Sequence, residues 1–131
     1  MHRVLMVDDI AAIRKLYRRQ LLKHGEFDVL EAENGQQALD ILDEENIDLV
    51  LTDWVMPVKD GLALLNEIKS DASKSHIPVI MVTSESKPQD LGRAAKAGVD
   101  GYLVKPFTSI MLRDKIKNVL EEIDDLNDPE D

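Results

Sequence analysis

The stretch Ile47-Asp48-Leu49-Val50-Leu51-Thr52, closed by Asp53, decides the fold class. It is apolar at nearly every position instead of alternating, which is the pattern of a strand covered on both faces. Val4–Val7 has the same character. Working outward, shorter runs rich in β-branched residues recur at Val29–Ala32, Val79–Thr83 and Tyr102–Val104, so five strands are expected. The intervening segments carry helical periodicity, as in Ile13, Leu16, Tyr17, Gln20 and Leu21, then Ala38, Leu39, Ile41 and Leu42, then Leu62, Leu64, Leu65 and Ile68. A fourth helix is expected from about Pro88 to Ala97, with Gly92 in its interior at a cost of about 1 kcal/mol relative to Ala. The last opens at Thr108 or Ser109 as N-cap and presents Leu112, Ile116, Val119, Leu120 and Ile123 on one face. Strands alternating with helices imply βαβ units, hence an α/β fold with a doubly wound parallel sheet.

Composition agrees with one such domain. The chain has 131 residues, 44% hydrophobic and 32% charged, against a usual domain size of about 150. Its formal charge of -10 gives little support to binding a nucleic-acid backbone. Seven of the 26 acids fall in residues 121–131, which contain no base, so residues 1–122 read as the domain and 123–131 as an acidic tail. No apolar run exceeds four residues, so neither a membrane span nor a signal-peptide core is expected, and the protein is expected in the cytosol. The absence of cysteine excludes disulfides, thiolate metal sites and cysteine nucleophiles.

In doubly wound folds ligands bind beyond the carboxyl ends of the strands. Here strand 1 ends in Asp8-Asp9, strand 3 in Asp53, strand 4 in Thr83 and strand 5 in Lys105, while strand 2 ends in Glu31 to Glu33. An isolated Asp8-Asp9 pair ahead of Ile10 reads most simply as a helix N-cap. Asp53 on the same rim changes that reading, because three crowded carboxylates repel one another and are normally held by a hard cation such as Mg²⁺. Lys105 is suited to neutralise phosphoryl charge, Thr83 to donate its hydroxyl to a phosphoryl oxygen, and a carboxylate can itself be the nucleophile.

These residues, with the stretches Asp53-Trp54-Val55-Met56-Pro57, Asp60-Gly61-Leu62, Val82-Thr83-Ser84-Glu85 and Gly98, and the run from Gly101 to Thr108, resemble the receiver domain of two-component response regulators. The resemblance runs from Val4 to about Leu120 and is nearest to the stand-alone chemotaxis type. It implies a flavodoxin-like (β/α)5 sheet in the order 2-1-3-4-5. It also implies Asp53 as phosphoacceptor, Asp9, Asp53 and the Val55 carbonyl as direct Mg²⁺ ligands, Asp8 as a ligand through water, and Thr83 and Lys105 as phosphoryl contacts. Tyr102 corresponds to the family's switch aromatic and Lys105-Pro106 to its cis peptide. The implied partners are a histidine kinase, a phosphorylation-dependent output protein such as the flagellar motor switch, and a phosphatase, with a monomeric chain and no nucleic acid or membrane partner. The output surface is expected on helix 4, strand 5 and helix 5, and the protein is a phosphoacceptor and not an enzyme in the ordinary sense.

Two positions depart from the best-known chemotaxis pattern. Val55 stands where that pattern has a polar amide, and helix 4 opens Lys87-Pro88-Gln89-Asp90, which is less basic. Helix 1 offers Arg14, Lys15, Arg18, Arg19 and Lys23, a face able to meet an acidic partner. A phosphorelay intermediate that hands its phosphate to a histidine phosphotransfer protein is the alternative within this class. A flavin-binding module would need a Ser/Thr/Gly-rich loop after strand 1, and an aspartate-nucleophile phosphatase an Asp-x-Asp there; Asp8-Asp9-Ile10 is neither. No Walker-type phosphate loop occurs.

Overall fold

The computed structural model describes residues 1–84 and 88–127, with side chains as far as Ile123. Strands and helices alternate without exception: β1 (His2–Val7), α1 (Ala11–Leu22), β2 (Phe27–Ala32), α2 (Gly35–Glu44), β3 (Leu49–Asp53), α3 (Gly61–Ser70), β4 (Val79–Thr83), α4 (Pro88–Lys96), β5 (Gly101–Val104) and α5 (Ser109–Asn127). All strand pairs are parallel and the sheet order is β2-β1-β3-β4-β5, as the resemblance implied.

The register explains why the functional rim is where it is. Val7 pairs with Thr52, Asp53 with Val82, and Thr83 with Val104, so the next residues of β1, β4 and β5 emerge beside Asp53 at one edge of the sheet. The central strands are buried on both faces: Val4 to Val7, Leu49 to Thr52 and all of β4 are inaccessible. One face packs Leu5, Val7, Val50 and Met81 against Ala38 and Leu42 of α2, Leu64, Leu65 and Ile68 of α3 and Ala94 of α4. The other packs Met6, Leu51 and Val82 against Tyr17 and Leu21 of α1 and Leu112, Ile116, Val119 and Leu120 of α5. Leu16, expected on the inner face of α1, is instead exposed.

Several boundaries move from those read in the sequence. The β2 strand begins at Phe27 because it alternates: Phe27 and Val29 are buried while Asp28 faces solvent. The β3 strand begins at Leu49, not Ile47. Asp48 pairs with Arg3 of β1 first, its N–H donating to the Arg3 carbonyl at 2.9 Å and its carboxylate accepting from Arg3 N at 2.7 Å. Thr108 caps α5, accepting from Met111 N at 3.1 Å, and Ser109 is the first helical residue. Helix α5 continues to Asn127, so the segment assigned to the tail begins as helix; residues 128–131 lie outside the described residues. No helix among the described residues is long and apolar enough to cross a membrane.

Candidate functional site

Asp8, Asp9 and Asp53 converge at the carboxyl rim, and each offers an oxygen within 4.8 Å of those of the other two. Asp8 is 2% exposed, Asp53 partly buried and Asp9 open to solvent. The N-cap reading of the aspartate pair fails: Ile10 is the N-cap of α1 and supplies no side-chain cap, while Asp8 Oδ1 accepts from Ile10 N at 2.9 Å. That bond holds the chain in a tight turn out of β1, which keeps Asp9 at the rim.

Asp53 is positioned from both sides. Its Oδ1 accepts from Trp54 N at 2.8 Å, and Lys105 Nζ stands 3.6 Å from its Oδ2. Behind it, α3 approaches so closely that Gly61 N donates to the Trp54 carbonyl at 2.7 Å, and a Cβ on Gly61 would sit 2.2 Å from the Asp53 carbonyl oxygen. Only glycine fits there, which gives Asp60-Gly61 its physical meaning. Asp60 then caps α3 by accepting from Ala63 N at 2.8 Å.

The electrostatics are those of an underneutralised site. Burial pushes the Asp8 carboxyl above its ordinary value, opposed by the Ile10 hydrogen bond and reinforced by the charge of Asp53. Burial also raises Asp53, against the pull of Lys105 and the Trp54 N–H. Three carboxylates and one ammonium carry a formal excess of two negative charges, which a divalent cation would cancel, and an all-oxygen donor set suits Mg²⁺ better than zinc or copper. The donor set therefore fits the ion.

The remaining rim residues fall where the strand register sends them. Thr83 is buried at the end of β4, and the Lys105 N–H donates to its carbonyl at 2.9 Å, so the two phosphoryl-contact candidates are linked through the main chain. The Lys105-Pro106 bond is cis. Tyr102 is half-buried on β5 and meets the Trp54 ring edge-on. Val55 lies just past Asp53 and is 69% exposed, and Lys87 is outside the described residues.

Glu31 is not part of the acid cluster. It is paired by Arg14 and by Arg18 of α1, each at 3.1 Å, and Arg14 also donates to the Asp8 carbonyl at 2.7 Å. The basic face of α1 is thus divided: Arg14 turns inward to brace β1 and β2, leaving Lys15, Arg19 and Lys23 outside. No sequence spacing marked this bracing role. Tyr17 was legible only as a core position, yet it lies near enough to the cluster that Asp8 and Asp53 add to the burial that lifts its hydroxyl to about 12. Its ring leans on that of Phe107, the residue after the cis peptide, with centroids 5.3 Å apart.

Residues 4–117 match the sequence profile of the response regulator receiver domain. The chain belongs to the response regulator receiver family. It is 40% identical over 121 residues to the chemotaxis protein CheY of Pseudomonas aeruginosa, covering 92% of this chain and 98% of that one. A CheY-like receiver domain from Methanospirillum hungatei superposes with a TM-score of 0.86 at 28% identity, over 95% of this chain and 98% of the other. The response regulator TrrA of Thermotoga maritima, solved in complex with Mg(2+)-BeF, gives 0.80 at 34% identity over 91% of this chain and 99% of the other. This receiver is a phosphoacceptor signalling domain of the class that works with histidine kinases.

Proposed function

We propose that this receiver takes a phosphoryl group from a phosphohistidine of its kinase onto Asp53, and that the modified rim changes a protein-binding surface on α4, β5 and α5. The observation that carries this is the placement of Asp8, Asp9 and Asp53 on adjacent strand ends with Lys105 Nζ 3.6 Å from the Asp53 carboxylate. An Asp53 oxygen attacks the phosphorus, the P–N bond to the donor imidazole breaks, and that nitrogen leaves with the bonding pair. Transfer of this kind needs alignment and charge neutralisation more than covalent machinery. Asp9, Asp53 and the Val55 carbonyl would hold Mg²⁺ directly, with Asp8 acting through water. When bound, the ion supplies positive charge to the phosphoryl oxygens.

Lys105 supplies the second positive charge, and Thr83 donates its hydroxyl to the product. Because the Lys105 N–H is bonded to the Thr83 carbonyl, a pull on either is felt by both strands leading to Tyr102. The likeness to chemotaxis regulators supports a cytoplasmic role in motility signalling, with the output protein recognising the α4–β5–α5 face in its phosphorylated arrangement. The test is labelling with acetyl phosphate, followed by peptide mass spectrometry. One phosphoryl group on the Asp53 peptide, lost on chelation with EDTA and in Asp53→Asn, is the expected result. Labelling that persists at Asp53 without divalent metal, or that survives Asp53→Asn, contradicts the assignment.

A further inference from the structure

Helix α4 touches the phosphoacceptor's neighbour through one charged residue. The Arg93 guanidinium lies over the indole of Trp54, 6.0 Å from its centroid. The same ring meets Tyr102 of β5 with centroids 6.4 Å apart and planes at 72°. Trp54 is buried, is the only tryptophan in the chain, and its main-chain N–H is bonded to the Asp53 carboxylate. A single indole, one peptide bond from Asp53, is therefore in contact with both α4 and β5.

The contact gains weight from what α4 lacks. Among its residues only Ala94 is buried, and a Cβ at Gly92 would meet nothing within 4 Å. Among the described residues the other partner of Arg93 is Asp90, one turn back on the same helix at 3.7 Å, a pair that cannot fix α4 to the sheet. A guanidinium over an aromatic face is attracted by the ring quadrupole, and at an exposed position the attraction is modest. Modest is what a reversible device requires.

We propose that Arg93 is a latch, holding α4 against Trp54 in the unphosphorylated chain, so that the strength of this contact sets how readily a phosphoryl group on Asp53 moves the helix. The inference rests on the phosphoacceptor reading and adds to it a positioning residue outside the acid cluster, Thr83 and Lys105. If the contact exists in one arrangement of α4 only, its loss shifts the equilibrium toward the other. A ligand preferring that other arrangement then binds more tightly by the same factor. For an exposed cation–π contact that factor is about two- to five-fold.

The test is calorimetric titration of the Mg²⁺-saturated protein with beryllofluoride, on wild type, Arg93→Gln and Asp90→Asn, and on Arg93→Gln in a Trp54→Leu background. Arg93→Gln should bind the probe about two- to five-fold more tightly, Asp90→Asn should not, and the gain should vanish once Trp54 is leucine. Emission from Trp54 in the unliganded protein should change in Arg93→Gln and stay as in wild type in Asp90→Asn. That reading decides the matter if Trp54→Leu does not fold. The latch is overturned by wild-type affinity and emission in Arg93→Gln, by an equal gain in Asp90→Asn, or by a gain that persists undiminished without the indole. Absence of beryllofluoride binding to wild type would instead sink the phosphoacceptor reading and the latch with it.

Discussion

Helices α3 and α4 follow neighbouring strands, lie on the same face of the sheet and are ten and nine residues long, yet they are held very differently. Helix α3 is capped by Asp60, presses Gly61 against the Asp53 carbonyl and buries Leu64, Leu65 and Ile68. Its far end is clamped as well: Lys69 Nζ donates to the Ile77 carbonyl at 2.9 Å and to Asp100 Oδ2 at 2.8 Å, and that oxygen also accepts from Val79 N. Helix α4 buries Ala94 and lays Arg93 on an indole. The first helix is part of the frame around Asp53; the second is thinly anchored, which suits the element that a local charge change moves under the proposed mechanism.

Truncation of the two helices should break the comparison most sharply if it is wrong. Leu65→Ala should cost about 2–5 kcal/mol, the usual range for a fully buried leucine. Leu91→Ala on α4, where the residue is 37% exposed, should cost no more than about 0.5 kcal/mol. Urea midpoints measure both, and similar losses would remove the distinction between frame and mobile element.

The glycines give opposite signs. Gly61→Ala forces a methyl into main-chain atoms of Asp53 and Trp54, so a loss of about 1–3 kcal/mol and weaker phosphoryl labelling are expected together. Gly92→Ala meets open space and should stabilise α4 by up to about 1 kcal/mol. Thermal unfolding of the pair checks this, and a stabilised Gly61→Ala would mean that the approach of α3 to Asp53 is looser than described.

The smallest effect is expected at the end of α3. Asp71 lies just beyond the helix, and its carboxyl is held down at about 2 by the Ser73 hydroxyl and then by Lys74. A depressed folded value means that this contribution is complete above the ordinary 3.8 and is lost as pH falls toward about 2. Asp71→Asn should therefore be slightly less stable than wild type near neutrality and show a slightly shallower pH dependence across that interval, the two proteins converging as pH falls toward about 2. A wild-type slope in the variant would show that Asp71 does not secure this end.

Much of this was legible in the residues. The apolar runs at Val4–Val7 and Ile47–Thr52 marked the central strands, and strand-end Asp, Thr and Lys residues marked the rim, because parallel strands buried on both faces leave polarity only at their ends. What stayed hidden depends on tertiary neighbours. Arg14 and Arg18 read as part of a basic face able to meet an acidic partner, until β2 brought Glu31 to them from within the chain. Asp8 was legible as part of the acid cluster, but not that its carboxylate also accepts from Ile10 N and holds the turn out of β1. Val58 gave no sign that it would sit at φ 69°, a strained place for a β-branched side chain, in the loop between Asp53 and α3. The Arg93–Trp54 contact joins residues far apart in sequence that share no motif.

The most direct test of the account is amide hydrogen exchange across the chain, with Mg²⁺ alone and with Mg²⁺ plus beryllofluoride. Exchange in α4 and around Tyr102 should change when the phosphoryl mimic is added, while α3 from Leu64 to Ile68 keeps its protection, and Asp53→Asn should show no difference between the two conditions. An equal change in α3, or an α4 that exchanges identically with and without the mimic in the wild-type protein, would contradict the division into a fixed frame and a responsive helix.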